Sequence, residues 1–247
     1  MRRRTLTELA NNPDLISGIY NYCDRWCERC PLTSRCLVYA TEQEDDDSLE
    51  SRDLRNEQFW RKLSAIFQET REMIVDWAHN AGVDFNAFAD EDEARHKRKR
   101  QLVDNHPLTK AGKKYANTAT DWFREFDQMV EISDLEDARE VIQWYQYQIA
   151  VKTMRALSGR KEELEDPEIT DFPKDSDGSA KVALIGIDRS IAAWRMMQMS
   201  LPDRVESIVP LILQLERLRQ RLEKSFPQAR DFVRPGFDEQ SVKSAAN

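Results

Sequence analysis

The sequence has little glycine or histidine and no long apolar run. Seven glycines and three histidines occur among its 247 residues. The phosphate-binding glycine loop, the dinucleotide-binding fingerprint and the nucleophile elbow are all missing. No window approaches the roughly 18 consecutive apolar residues of a membrane-spanning helix. These absences leave the commonest nucleotide, cofactor and acyl-transfer scaffolds without support, and no membrane partner is predicted.

The amino-terminal sequence also lacks an export signal. It reads MRRRTLTELANNP, in which no apolar run follows the arginines. We therefore expect a cytoplasmic protein in a reducing compartment. In such a compartment, clustered cysteines favour a bound metal over a disulfide.

The composition favours long amphipathic helices. Charged residues make up 33% of the chain and hydrophobic residues 40%, with few glycines and prolines. The net charge of −8 argues against broad nucleic-acid binding. The predicted fold is all-α: a single bundle-like domain of about six or seven helices with an N-terminal four-cysteine metal-binding segment.

We predict three regions along the chain. Residues 1–48 hold the cysteine segment and an acidic linker, residues 49–226 form the helical bundle, and residues 227–247 form an irregular or disordered tail. Apolar spacing predicts the bundle helices, which cover residues 49–80, 85–103, 109–131, 133–157, 180–200 and 202–226. The acidic stretch 158–179 contains prolines and glycines and is predicted to be a surface loop.

Two predicted helices carry distinctive faces. The first has an apolar stripe that we expect to be buried, formed by Phe59, Leu63, Ile66, Phe67, Thr70, Ile74 and Trp77 and widened by Trp60 and Met73. The fifth has a face of small residues, formed by Ala183, Gly186, Ser190 and Ala193. Such a face allows another helix to approach closely, so helical faces are the predicted route to a homodimer or a protein partner.

The most chemically specific pattern is formed by the four cysteines. They are spaced C-x3-C-x2-C-x5-C and lie at Cys23, Cys27, Cys30 and Cys36. Helical spacing predicts a helix that begins near Pro13 and places the first three thiols on one stripe. Pro31 ends that helix, and the following turn returns the fourth cysteine. Since neighbouring thiolates repel one another, a cation is their natural partner.

Two kinds of centre suit four thiolates. Structural zinc takes four tetrahedral N or S ligands, and a 4Fe–4S cluster takes four cysteines. The run CERCPLTSRC resembles the cluster-binding segment of iron–sulfur RecB-type nucleases and of auxiliary-cluster domains in radical-SAM maturases, which implies a cluster. The compact span is also similar in size to a zinc knuckle. The predicted cofactor is therefore a 4Fe–4S cluster or Zn²⁺ at one site, with a structural, redox or sensing role.

A basic segment at residues 95–114 supports an alternative function. Within it, Arg100 and His106 form an R-x5-H pattern that resembles the arginine–histidine motif of HEPN-type helical ribonucleases. The resemblance implies that the pair holds a phosphate and moves a proton at a dimer interface. A ribonuclease or nucleic-acid-binding protein is thus the second hypothesis. No catalytic residue is otherwise indicated.

Two adjacent charges interrupt the most apolar predicted helix. Asp188 and Arg189 lie within AKVALIGIDRSIAAWRMMQMS. A buried charge is costly unless it is paired, so a buried carboxylate here needs an arginine partner. We predict that these two residues mark either a pocket or a buried ion pair.

Overall fold

The computed structural model describes residues 6–44, 57–82, 91–126, 135–165 and 175–238. In these ranges there is no strand, and the α-helices are α1 (Leu6–Ala10), α2 (Leu37–Glu44), α3 (Glu57–Ala81), α4 (Glu91–Asn105), α5 (Pro107–Phe126), α6 (Glu136–Glu165), α7 (Asp175–Ser200) and α8 (Val205–Ser225). Short 3-10 turns lie at Ile19–Asn21, Cys27–Arg29, Thr33–Arg35 and Pro202–Arg204. The predicted all-α fold is confirmed.

The chain divides into two compact units. The bundle unit comprises Ile16–Cys30 and Lys99–Asn247, and the α3 unit comprises Met1–Leu15 and Pro31–Arg98. This division cuts across the predicted regions, because the first three cysteines belong with α5 to α8. The acidic run at 45–48 and the tail at 239–247 lie outside the described residues. No helix in the described ranges combines the length and apolarity needed to cross a bilayer.

The core of the bundle unit lies between α5, α6, α7 and α8. Helices α6 and α7 share its largest interface, while α5 packs against both α6 and α8. Two fully buried aromatic residues meet at its centre, where Trp194 Nε1 donates to the Tyr115 hydroxyl at 2.9 Å. Since polar ring atoms need a partner when buried, this bond lets both rings fill the core.

Helices α6 and α7 approach closely because Gly186 has no side chain. A Cβ added there would lie 2.9 Å from Tyr145 Cδ1 and 3.2 Å from Ile149 Cγ1. All four members of the predicted small-residue face are buried. At Gly186 that face is covered by α6 of the same chain, and it offers no free surface to a partner.

Both ends of the predicted surface loop at 158–179 are helical, and residues 166–174 lie outside the described residues. Helix α6 continues to Glu165 and α7 begins at Asp175. The first turn of α7 is secured from α6, because Glu163 accepts hydrogen bonds from the Ser176 N–H at 3.0 Å and from its hydroxyl at 2.8 Å. The acidic composition suggested a loop, but Glu163 serves as a hydrogen-bond acceptor for the first turn of α7.

The apolar stripe of α3 was wrongly predicted to be buried. Its largest side chains are exposed, with Trp60 at 53%, Phe67 at 65%, Ile74 at 46% and Trp77 at 64%. Residues 45–56, where the predicted helix begins, lie outside the described residues, as does the side chain of Phe59. The three-and-four spacing identifies the apolar face of a helix correctly, but it carries no information about what covers that face.

Replacing Gly186 with alanine tests the close packing of α6 on α7. Helix propensity alone predicts a gain of about 1 kcal/mol in unfolding free energy. The contact with the buried Tyr145 ring opposes it, because overpacking costs ~1–3 kcal/mol. We expect a net loss of stability in chemical denaturation, and a larger loss for Gly186→Val. A stabilised Gly186→Ala variant would show that the two helices are not in tight contact.

Candidate metal centre

Residues 16–30, here called the cysteine loop, do not form the predicted helix. They contain two 3-10 turns, Ile19–Asn21 and Cys27–Arg29, joined by irregular backbone. Gly18 has φ 73° and Arg25 has φ 58°, both in the left-handed region that a right-handed helix excludes. The prediction of one helical stripe of thiols was therefore wrong, because the loop follows its tertiary contacts instead of its local spacing.

Asp24 attaches the cysteine loop to α6 and α7. Its carboxylate Oδ2 accepts hydrogen bonds from the Tyr145 hydroxyl at 2.5 Å and from Arg189 Nη1 at 2.8 Å. Its backbone carbonyl accepts a bond from Trp144 Nε1 at 2.9 Å and another from the Gln148 side-chain amide. One loop residue thus satisfies donors from four side chains of the bundle.

The electrostatics at Asp24 keep Tyr145 protonated. Burial raises the pKa of Tyr145 above its ordinary value, and the neighbouring Asp24 carboxylate raises that pKa further. The hydroxyl is therefore a hydrogen-bond donor throughout the physiological range. Arg189 is 54% exposed, so its ion pair with Asp24 contributes less than the partly buried tyrosine bond.

Tyr22 provides a second attachment. Its ring packs on Phe232 with centroids 4.7 Å apart, and both rings crowd the start of α7 at Gly178. A Cβ on Gly178 would lie 2.6 Å from Tyr22 Cδ1 and 2.7 Å from Phe232 Cζ. Burial, helped by Asp175, raises the pKa of Tyr22 to about 12. The loop is thereby fixed immediately before Cys23 as well as after it.

Trp26 forms a third attachment, beside an open depression. Its ring stacks on Trp144 at 5.0 Å with an interplanar angle of 16°, and the Arg29 guanidinium lies 4.1 Å from the Trp26 ring centroid. Arg29 also pairs with Asp137 at 2.7 Å and with Glu140. The depression has a volume of about 420 Å³ and is lined by Trp26, Glu28, Arg29, Glu140, Gln143 and Trp144.

Cys23, Cys27 and Cys30 lie on the cysteine loop, next to the residues that attach it to the bundle. Cys23 Sγ donates to the Tyr20 carbonyl at 3.5 Å, and the Cys30 N–H donates to the Cys27 carbonyl at 3.2 Å, which closes the C-x2-C turn. All three side chains are partly buried. Within the described ranges, no three His, Cys, Asp or Glu side chains are grouped so as to hold a metal ion.

The fourth cysteine lies in the α3 unit and has a similar local setting. Cys36 follows the 3-10 turn Thr33–Arg35 as Cys30 follows its own turn, and both have ψ 121°. Its N–H donates to the Thr33 carbonyl at 3.1 Å, and its carbonyl accepts the Ala40 N–H at 2.9 Å at the start of α2. Cys36 is thus also partly buried and follows a well-defined turn.

A buried lysine lies beside the first cysteine. Lys152 on α6 is 8% exposed, and its Nζ donates to the Asn21 carbonyl at 3.1 Å. Burial lowers the pKa of Lys152, while the negative charge of Cys23 acts in the opposite direction. Sequence reasoning missed this residue because its spacing resembles that of an ordinary surface lysine.

The structure assigns Asp188 and Arg189 to different interactions. Arg189 bonds to Asp24, whereas the Asp188 carboxylate accepts from Arg230 Nη1 at 2.6 Å and from Arg219 Nη1 at 3.3 Å. The Asp188 side chain is 38% exposed. Asp188 belongs to an ion-pair network that joins α7, α8 and the following turns, and Arg189 belongs to the cysteine-loop attachment.

The basic segment forms largely exposed helix surface. Its exposed cations are Arg95, Lys97, Arg98, Arg100, Lys110, Lys113 and Lys114. Lys99 is buried and pairs with Glu162 on α6, and Lys113 Nζ donates to Asp104 Oδ1 at 3.0 Å. Part of this charge therefore serves to hold the helices together.

His106 caps the start of α5. Its Nδ1 accepts the Leu108 N–H at 3.2 Å, and its carbonyl accepts the Lys110 N–H at 3.0 Å. Burial lowers the pKa of His106, which favours the neutral ring that the cap requires. Among the described residues, no hydrogen bond or ion pair joins it to Arg100. The histidine has a folding role here, and the ribonuclease alternative stays a prediction.

Removal of the Asp24 carboxylate is expected to loosen the cysteine loop. Asp24→Ala leaves the Tyr145 hydroxyl without its acceptor, which costs about 1–3 kcal/mol of unfolding free energy. Hydrogen–deuterium exchange should rise in peptides covering residues 19–30. Asp14→Ala, at an exposed position, is the control and should change neither quantity. Equal exchange in the Asp24 variant and the wild type would contradict the attachment.

The His106 cap predicts a pH-dependent contribution to stability. Because the folded-state pKa lies below the ordinary value of about 6.5, the contribution is complete above that pH and is lost as pH falls through the folded pKa. His106→Asn retains a capping oxygen without titrating, so its stability should fall less than that of the wild type between pH 7 and 5. His106→Ala should lose about 1 kcal/mol at pH 7. Parallel pH profiles for wild type and His106→Asn would refute the cap.

No protein-family model, curated protein or solved structure matches this chain. Its function therefore has to be argued from the geometry of its own residues. The feature with the most specific chemistry remains the set of four cysteines, three on the cysteine loop and the fourth at Cys36.

Proposed function

We propose that the chain is a metal-binding helical protein whose Cys23, Cys27, Cys30 and Cys36 hold one all-thiolate centre, either a 4Fe–4S cluster or zinc. The observation that carries this proposal is the attachment of the cysteine loop. Five hydrogen bonds from α6 and α7 reach its backbone and Asp24, and three thiols lie within six residues of Asp24. A binding site functions best when rigid elements position its ligands.

The local turns also suit metal binding. Cys30 and Cys36 each follow a 3-10 turn in extended conformation, and Cys27 begins the first of these turns. Short C-x2-C turns are a common source of thiolate ligands in zinc and iron–sulfur proteins. Cys36 is included on sequence grounds, since only five residues separate it from Cys30.

The charge around the first ligand is favourable. Four thiolates around Zn²⁺ or a cluster carry net negative charge, which is costly next to an apolar bundle. Lys152 and Arg25 supply basic groups near Cys23; burial and the like charge of Arg25 lower the pKa of Lys152, while Cys23 raises it. Basic groups near thiolates stabilise the bound form of such centres and tune their properties.

Metal binding is expected to complete the structure of the loop. Thiol ligands rarely converge before the metal arrives, and the free energy of binding then contributes to folding. Cys36 and the three cysteines of the loop would then bind the same metal centre. We propose this structural role first, with a redox or sensing role following if the bound group is a cluster.

Elemental analysis of protein purified without oxygen tests the proposal. A cluster predicts about four iron atoms per chain, a brown colour and broad absorbance at about 400 nm, whereas zinc predicts one Zn²⁺ per chain and no colour. Cys27→Ser should lose most of the metal. Ser17→Ala, an exposed change in the same loop, should retain it.

Two outcomes would remove the proposal. One is wild-type protein that contains neither metal when purified without oxygen and binds neither on reconstitution. The other is a variant with all four cysteines replaced by serine that keeps the full metal content. Circular dichroism should show that the variants remain helical, so that loss of metal is not mistaken for loss of fold.

A further inference from the structure

Residues 226–238, here called the C-terminal segment, follow α8 without forming a helix and pack against the bundle. The segment begins with buried residues, since Phe226 is 1% exposed and Ala229 is fully buried. Turns shape the chain beyond them, and in one turn the Phe232 N–H donates to the Gln228 carbonyl at 3.1 Å. The side chains of the segment therefore have defined positions on the bundle.

Lys181 on α7 fixes the far end of the C-terminal segment. Its Nζ donates to the Phe232 carbonyl at 2.5 Å and pairs with the Asp238 carboxylate at 2.9 Å. Arg234 pairs with the same carboxylate at 3.0 Å, and Gly236, with φ 74°, provides the turn between them. Because the Lys181 and Asp238 side chains are only 17% and 22% exposed, solvent screens this pair less than a surface ion pair.

Phe232 connects the C-terminal segment to the cysteine loop. Its ring packs on Tyr22 with centroids 4.7 Å apart. Both rings lie against Gly178, where an added Cβ would come within 2.4 Å of Tyr22 Cε1 and 2.7 Å of Phe232 Cζ. Since Tyr22 directly precedes Cys23, a contact that restrains this ring also restrains the backbone of the first cysteine.

We propose that the C-terminal segment positions Cys23 through the contact of Phe232 with Tyr22, and so controls how long the proposed metal centre is retained. The metal part of this inference rests on the proposed function. A ligand that opens locally exposes its metal to competitors, so a contact that opposes opening slows the loss of metal. The effect is partial, because Asp24 and Trp26 still attach the second half of the loop.

Hydrogen–deuterium exchange on the metal-free full chain tests the positioning. Phe232→Ala removes the aromatic contact, and exchange in peptides covering residues 16–24 should rise about 3- to 10-fold. Val233→Ala is the matched control, since Val233 is the next residue and is 49% exposed. Phe232→Leu keeps an apolar side chain and should restore most of the protection. Circular dichroism should show that all three variants remain helical.

A second variant acts on the segment without touching the aromatic contact. Asp238→Asn removes the charge that Lys181 and Arg234 bind while it keeps the shape of the side chain. Exchange around Tyr22 should rise in this variant too, because Phe232 is then held less firmly. Exchange that is unchanged in both Phe232→Ala and Asp238→Asn would overturn the positioning role.

Release of Zn²⁺ from the zinc-loaded full chain to excess EDTA tests the control of metal retention. Release should be about 3- to 10-fold faster in Phe232→Ala than in the wild type, and unchanged in Val233→Ala. Raised exchange with an unchanged release rate would overturn this control. A wild-type chain that binds no metal would overturn the proposed function and the metal part of the inference, whereas the exchange result decides the positioning role by itself.

Discussion

The position of the cysteine loop depends on the hydrogen bonds that meet at Asp24. Its carboxylate and carbonyl together serve four side chains of α6 and α7, and Cys23 and Cys27 lie on either side of it. The cost of losing the carboxylate exceeds the modest net value of the bonds themselves, because a partly buried tyrosine hydroxyl is then left unsatisfied. Trp26 and Tyr22 add apolar contacts, but Asp24 determines which backbone atoms the bundle holds.

The sequence predicted the helices of the bundle well and the cysteine loop poorly, and the reason is physical. The helices follow from apolar residues that repeat every three or four positions, a local signal that burial in the core reinforces. Asp24 has no such signal, since its partners Trp144, Tyr145 and Arg189 lie more than a hundred residues away along the chain. From the sequence alone it resembles a solvated acid, and Lys152 resembles a solvated base.

The apolar periodicity of α3 also gave a wrong prediction, but only about burial. It identified the apolar face correctly, but nothing in the spacing distinguishes a face buried within the chain from one covered by a second copy. Gly186 illustrates the opposite case, in which a face that suggested an external partner is filled by Tyr145 of the same chain.

The cysteine loop, helix α3 and the α5–α8 core differ in how much apolar surface they bury. The cysteine loop has few apolar groups to bury, so it depends on hydrogen bonds and, we propose, on a metal. Helix α3 leaves much of its apolar face exposed, with Phe67 at 65% and Trp77 at 64%. In the α5–α8 core, Tyr115 and Trp194 are fully buried and hydrogen-bonded to each other. The four cysteines are partly buried and lie outside this core, so we expect the bundle to stay folded when the proposed metal is lost, and metal content and helical fold can then be measured separately.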